Sequence, residues 1–232
     1  MKKITITQIS EKKIKAGNPL LQMEDFPNEL SFDEGELVEL VDSRQKFVAK
    51  AYLAKQNKGV GWVFSLDNAD SFNEAFFKKQ FEKAKRKRTD LQSDPETTTY
   101  RLFNAEGDGI PCVTIDHYDG FAVVSWYSEG IFRYQTAIIA AFQAVFPETK
   151  GIYEKFRYQR KDGLISRYVR GDAAPTPLIV KENGINYATY LDDGLMTGIF
   201  LDQRDVRGAL TERYAAGKRV LNTFSYTGAF SV

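Results

Sequence analysis

The chain has 232 residues, with 32 lysines and arginines against 31 aspartates and glutamates and a net charge of +1, so it carries no overall basic excess and any nucleic-acid contact must be local. Its 43% hydrophobic and 27% charged residues are those of an ordinary globular chain, long enough to bury a core without disulfides or metals. One cysteine, Cys112, excludes an internal disulfide and points to a cytoplasmic location, no apolar run approaches the ~18 residues of a membrane span, and MKKITITQISEKK lacks the apolar core of a signal peptide.

Residues 1–70 read as a small all-β unit. Glu36–Ala54 holds two short apolar runs around the polar break Asp42-Ser43-Arg44-Gln45, and Gly59–Leu66 adds a strand after a glycine-containing turn. A helix follows. Ser71-Phe-Asn-Glu74 has the spacing of a capping box, with Ser71 accepting from the Glu74 amide. Phe72, Phe76 and Ala84 fall on one helical face, with Phe77 and Phe81 beside it. The rest of the helix is basic: residues 78–88 carry Lys78, Lys79, Lys83, Lys85, Arg86, Lys87 and Arg88 against Glu82. On charge alone this is either a solvated face with a Glu82–Arg86 pair or a phosphate-contacting strip.

Residues 95–175 read as a compact β-rich α+β unit. "TTTYRLFN" and "PCVTIDHY" are strands, and Asp119-Gly120 joins the second to "FAVVSWYS" as a type I′ hairpin. "YQTAIIAAFQAVFP" is an apolar helix with Ile138, Phe142 and Val145 on one stripe, and "GIYEKFR" and "GLISRYVRG" are strands. After Pro175-Thr-Pro177 comes a second hairpin turning at Asn183-Gly184. A helix is then predicted with Asp202 as N-cap, Val206, Leu210 and Tyr214 as its apolar line and Gly217 at its C-terminal end. The strand Arg219–Phe224 and the loop Asn222–Gly228 follow. A loop after a strand and before a helix is where an open α/β sheet binds ligands, with hydroxyls from Thr223, Ser225 and Thr227. Three spaced glycines of a dinucleotide fingerprint are absent, which disfavours NAD.

Three stretches, in order, resemble one family. "LNTFSYTGAFSV" (Leu221–Val232) is similar to the first cofactor motif of class I S-adenosylmethionine-dependent RNA methyltransferases of the ribosomal RNA large-subunit methyltransferase I type, which make 5-methylcytosine in 23S rRNA. "TGIFLDQRDVR" (Thr197–Arg207) resembles the family's G-x-F-L-D-Q-R-x-x-R signature, and "YRLFNAEGDGIPCVTIDHYDG" (Tyr100–Gly120) its R-L-x-x-x-E-x-D-G segment. Gly17-Asn-Pro-Leu-Leu21 stands where the family usually has a Gly-His-Pro-Trp-type turn.

The resemblance implies a mixed α/β and α+β multidomain fold. Residues 1–70 would be a PUA-like RNA-binding domain, 71–177 the linker helix and middle β-β-α-β-β domain, and 178–232 the N-terminal part of a Rossmann-like methyltransferase domain, clipped short of its full sheet. It implies S-adenosyl-L-methionine as cofactor, held by Gln203, Arg204, Phe224, Ser225, Tyr226, Thr227 and Gly228. It implies ribosomal RNA as partner, with a homodimer admitted and no membrane or metal, and the charge of the basic helix then makes Lys78, Lys79, Lys85, Arg86 and Arg88 the expected contacts to RNA backbone. In this chemistry a cysteine thiolate adds to C6 of cytosine so that C5 becomes nucleophilic. That residue is expected beyond Val232. Cys112, in an apolar strand, and His117, beside a turn, are read as structural. The alternative is a stand-alone RNA-binding module.

Overall fold

The computed structural model describes residues 1–56 and 59–232. The first unit is a five-stranded sheet, β1 (Lys2–Thr5), β2 (Leu20–Leu21), β3 (Leu37–Val41), β4 (Phe47–Gln56) and β5 (Gly59–Ser65), in the order β1-β3-β4-β5-β2. Only β1 and β3 run parallel. Residues 1–70 are not all β: α1 (Gln8–Lys15) connects β1 to β2. Thr7 caps it by accepting from the Ser10 amide, Lys12, Lys13 and Lys15 sit at its negative end, and Ile14 anchors it in the core. One buried isoleucine leaves little periodicity to read. The turn before β5 lies outside the described residues.

The basic helix is α2 (Glu74–Lys87), followed by α3 (Thr89–Ser93). Its cap is Asn73, whose side chain accepts from the Phe76 amide, and not Ser71. Helix α2 starts two residues later than the capping-box spacing placed it, and Phe72 is thereby released to stack against Tyr52 and Phe64. The buried stripe of α2 is Phe76, Phe77, Gln80, Phe81 and Ala84.

The middle sheet comprises β6 (Thr99–Asn104), β7 (Val113–Tyr118), β8 (Phe121–Trp126), β9 (Gly151–Phe156) and β10 (Ser166–Gly171), in the order β10-β9-β8-β7-β6. Between these strands lie the short turns α4 (Ala105–Asp108) and α5 (Glu129–Phe132) and the helix α6 (Gln135–Val145). Helix α6 carries the crossover that lets β8 and β9 run parallel. Asp119 and Gly120 both have positive φ, as a type I′ hairpin requires, and so do Asn183 and Gly184 between β11 (Leu178–Glu182) and β12 (Ile185–Thr189).

One apolar cluster runs from Tyr52, Trp62 and Phe64 of the first sheet through α2 to Phe103, Trp126 and Phe142. The two sheets therefore share a core. Gly130 marks their contact: a Cβ there would lie 2.4 Å from the Ala54 Cβ and 3.1 Å from the Leu53 carbonyl oxygen. Tyr134 Oη donates to the Gly35 carbonyl at 2.6 Å and Tyr52 Oη to that of Pro111 at 3.1 Å.

The final segment departs most from its sequence pattern. A 3₁₀ turn (Leu201–Gln203), α7 (Arg204–Ala209) and a π turn (Leu210–Tyr214) replace one continuous helix. No side chain caps it, so Asp202 is not its N-cap. Val206 and Tyr214 are exposed, and Arg207 is the buried residue of α7. Among the described residues, Arg219–Phe224 forms no strand. A strand exists through the ladder beside it, and no neighbour supplies one here.

Candidate cofactor site

The two motif segments meet. Thr227 Oγ1 donates to the Gly198 carbonyl at 2.6 Å, and the Phe200 and Tyr226 rings lie 5.6 Å apart. Gly198 has φ +105°, and a Cβ there would sit 3.0 Å from the Ala188 carbonyl oxygen, so the signature segment can pass against β12 only as glycine. Between the segments lies a cavity of about 220 Å³ lined by Gln203, Arg207, Asn222 and Thr223 through Thr227. Gly228 adjoins it with open space around its Cα. Phe224 is fully exposed, and both Phe224 and Tyr226 hold positive φ. Such backbone strain persists where the surroundings or a function demand it.

Arg204 stands beside this cavity and not in its lining. Its guanidinium reaches only the adjacent Asp205, at 3.1 and 3.2 Å. Arg207, one turn on, is the structural arginine. Its Nε and Nη2 donate to the two Glu182 carboxylate oxygens at 2.7 and 2.8 Å, and Nη2 also to the Phe200 carbonyl at 2.8 Å. Both side chains are buried, and the pair ties α7 to the β11–β12 hairpin. Nothing in the local sequence announces this partnership across 25 residues.

The Tyr100–Gly120 stretch serves the fold. Asp108 is buried and receives Arg88 at 2.6 Å and Lys87 at 2.8 Å. Their hydrogen bonds hold its carboxyl below the usual range against the opposing effect of burial. Asp116 is gripped by Arg101 at 2.7 and 3.2 Å. Glu106 accepts from the Cys112 amide at 3.2 Å. The Cys112 thiol is buried and its pKa is pushed far up, first by desolvation and then by the Glu106 charge, so it is not a thiolate near neutrality. His117 is held neutral down to about 4 by burial, and its Nε2 accepts from the Gly120 amide at 3.2 Å inside the hairpin turn.

The basic helix divides. Arg88 spends its guanidinium on Asp108 and the Arg101 and Ala84 carbonyls, and Lys85 donates to the Val145 carbonyl at 2.9 Å over the Phe146 ring. These two, expected on RNA, fasten α2 to the middle unit. Lys78, Lys79 and Arg86 are exposed, with Lys79 3.6 Å from Asp70. No Glu82–Arg86 ion pair occurs among the described residues. Among them, too, no helix is long and apolar enough to cross a membrane, and no cluster of three or more His, Cys, Asp or Glu could hold a metal.

Comparison with known proteins places this architecture. The family described as "PUA-like domain" matches residues 4–66, and that described as "S-adenosylmethionine-dependent methyltransferase" matches residues 133–232. The chain is 44% identical over 236 residues to the "Putative ribosomal RNA large subunit methyltransferase YwbD" of Bacillus subtilis, covering 100% of this chain and 60% of that protein. It is 36% identical over 202 residues to the ribosomal RNA large subunit methyltransferase I of Cronobacter sakazakii, covering 85% and 50%. A solved structure described as "a putative sam-dependent methyltransferase from Streptococcus mutans" superposes with a TM-score of 0.92 at 45% identity, covering 100% of this chain and 59% of that one. A second solved structure, described as "a putative methyltransferase complexed with SAH", gives 0.93 at 45% identity with the same coverage. Over its whole length the chain is thus similar to S-adenosylmethionine-dependent methyltransferases of the ribosomal RNA large-subunit methyltransferase I type. It spans 50–60% of the length of these relatives.

Proposed function

We propose that the chain serves S-adenosylmethionine-dependent methylation of large-subunit ribosomal RNA, with C5 of a cytosine in 23S rRNA as the acceptor. The supporting observation is the junction of Gly198–Gln203 with Asn222–Gly228 around one cavity of mixed polar and apolar lining. Its 220 Å³ and its amide and hydroxyl lining suit the amino-acid end of the cofactor. Gln203, Thr223, Ser225 and Thr227 would hold that end, with Phe224, Tyr226 and Gly228 shaping the loop. Arg204, free to turn away from Asp205, would offer its guanidinium to a carboxylate. When bound, the cofactor supplies a methyl group made electrophilic by its sulfonium.

The chain's own cysteine cannot open the C5 route. Cys112 is buried between α4 and β7 with its thiol protonated. Activation at C6 therefore requires a thiolate that this chain does not contain, and the 232 residues alone should not methylate RNA. RNA would be held by Lys78, Lys79 and Arg86, which point to solvent between the PUA-like unit and the middle sheet. The PUA-like match and this strip also favour a second reading, an RNA-binding module without methyl transfer.

Isothermal titration with S-adenosylhomocysteine separates the two. Saturable binding with a Kd weaker than about 1 µM, worth less than about 8 kcal/mol, is expected. No heat at millimolar ligand, with the fold intact by circular dichroism, leaves the RNA-binding reading. Incorporation of labelled methyl into unmodified 23S rRNA by the chain alone would contradict the argument from Cys112.

A further inference from the structure

The face of the middle sheet turned away from α2 and α6 buries an apolar cluster that includes Phe121, Val123 and Tyr153, and beside that cluster it turns polar. Lys155, near the end of β9, is wholly buried, and its Nζ donates to the Gly194 carbonyl at 2.6 Å. One pleat further, Arg157 Nη2 donates to the Leu195 carbonyl at 2.8 Å, with Nη1 3.6 Å from the Met196 sulfur. From β10, Ser166 Oγ donates to the Asp192 carbonyl at 3.2 Å, and from β7, Tyr118 Oη lies 2.8 Å from Thr197 Oγ1. Four side chains thus grip one strap, residues 191–198, three of them by its carbonyl oxygens. The strap's last carbonyl, that of Gly198, is the one bonded by Thr227.

Burying a lysine on a single neutral carbonyl is costly, but a hydrophobic residue in its place would leave the Gly194 carbonyl without its donor. The charge is retained at the point where the sheet meets the strap. Desolvation and then Arg157 bring its pKa down to about 8, with Asp192 and Asp193 of the strap opposing. From the other strands Asp116, paired with Arg101, and Tyr118 share this face.

We propose that Lys155 and Arg157 are positioning residues for the cofactor loop: by holding the strap through its carbonyl oxygens they set where Gly198–Gln203 stands and, through the Thr227–Gly198 bond, where Asn222–Gly228 stands. The purpose of this linkage rests on the cofactor reading above. Its mechanics do not. The sequence motif then ends in a loop whose placement is decided 39 residues upstream of Gly194, in the middle sheet.

Amide hydrogen exchange on the 232-residue chain, read by mass spectrometry, tests the linkage. In Lys155→Met, amides of 192–198 and of 222–228 should exchange about tenfold faster, the loss expected when a carbonyl is left without its donor, while β6–β8 and the first sheet stay protected. In Thr227→Val, 222–228 should accelerate while 192–198 stays slow. Lys155→Arg should restore protection to both. Between pH 7 and 9, after correction for base-catalysed chemistry, strap protection should increase in the wild type as Lys155 sheds its proton, because closing the strap over a charged amine is what costs. Lys155→Met should show no such dependence. Acceleration of the strap with the loop unchanged overturns the proposal, as does an unaltered Thr227→Val loop should Lys155→Met fail to fold. Titration with S-adenosylhomocysteine separates this outcome from the cofactor reading. Wild type that binds, with Lys155→Met binding equally, refutes positioning. Wild type that never binds, with the exchange coupling present, refutes the cofactor reading and keeps the grip.

Discussion

The middle sheet presents two faces that are held in different ways. Toward α2 and α6 it is covered by rings: Phe81 lies 4.9 Å from Phe103 and 5.7 Å from Phe142, and Trp126 meets Phe132 at 5.7 Å. Toward the strap the face is mixed: Phe121, Val123 and Tyr153 cluster with Leu178 and Val180 of the following hairpin and with Leu191 and Ile199 at the ends of the strap, and beside them lie the polar contacts Arg101–Asp116, Tyr118–Thr197, Lys155–Gly194 and Arg157–Leu195. The hydrophobic effect is strong and non-directional, so the ring face secures that the sheet forms. Hydrogen bonds contribute little net stability but demand a geometry, so the polar contacts decide where one segment lies. Both faces bury apolar side chains, but only the strap side adds directional contacts to a segment outside the sheet.

The contrast is sharpest at Phe81. Phe81→Ala should cost about 3–5 kcal/mol, read by urea denaturation, because it leaves a ring-sized void among side chains that cannot collapse into it. A cost below about 1 kcal/mol would show that the ring face does not carry the fold. Arg207→Met comes next. It strands the buried Glu182 carboxylate, and about 3 kcal/mol should be lost, chiefly as faster exchange in β11, β12 and α7. Restoration by a further Glu182→Gln change would tie the effect to the stranded charge, and none would not.

How much of this was legible depended on range. Both type I′ hairpins were readable because Asp119-Gly120 and Asn183-Gly184 solve a local problem of positive φ. The strands of the middle sheet and α6 carried their period in consecutive residues. Helix α1 was not readable, since its stability comes from the Thr7 cap and one buried isoleucine. The strand at Arg219–Phe224 was read from composition, but strands are properties of ladders. At the candidate site, both motif segments were visible and their meeting was not. Gly198, Glu182 and Lys155 take their roles from partners 10, 25 and 39 residues away. The basic helix gave its charge to the reader but not its division into fastening residues, Lys85 and Arg88, and exposed ones.

Smaller effects should follow from titration. His117 is neutral in the fold down to about 4 but has its ordinary value of 6.5 when unfolded. The unfolded chain therefore binds more protons between those values, and stability should rise with pH across that window, by at most about 1.4 kcal/mol per unit. Its loss as pH falls should be blunted in His117→Gln. An unchanged acid profile would move the titration to other groups.

The smallest effect on stability should come from Lys78→Gln, Lys79→Gln and Arg86→Gln together, within about 0.5 kcal/mol of wild type. The same triple change should weaken binding to a single-stranded 23S rRNA fragment and flatten its salt slope by about 2, at roughly 0.7 per phosphate. Arg88→Gln should do the reverse, destabilising the fold with little change in slope. Equal slopes in all three proteins would return the strip to a solvated face.

The cofactor reading requires Gly198–Gln203 and Asn222–Gly228 to form one site. Amide and side-chain NMR of the folded chain titrated with S-adenosylhomocysteine tests it residue by residue. Saturating shifts confined to Thr223–Gly228, the Gln203 side-chain amide and the Gly198–Arg204 backbone are the expected result. Absence of shifts at millimolar ligand, or shifts confined to the first sheet or α2, would contradict it.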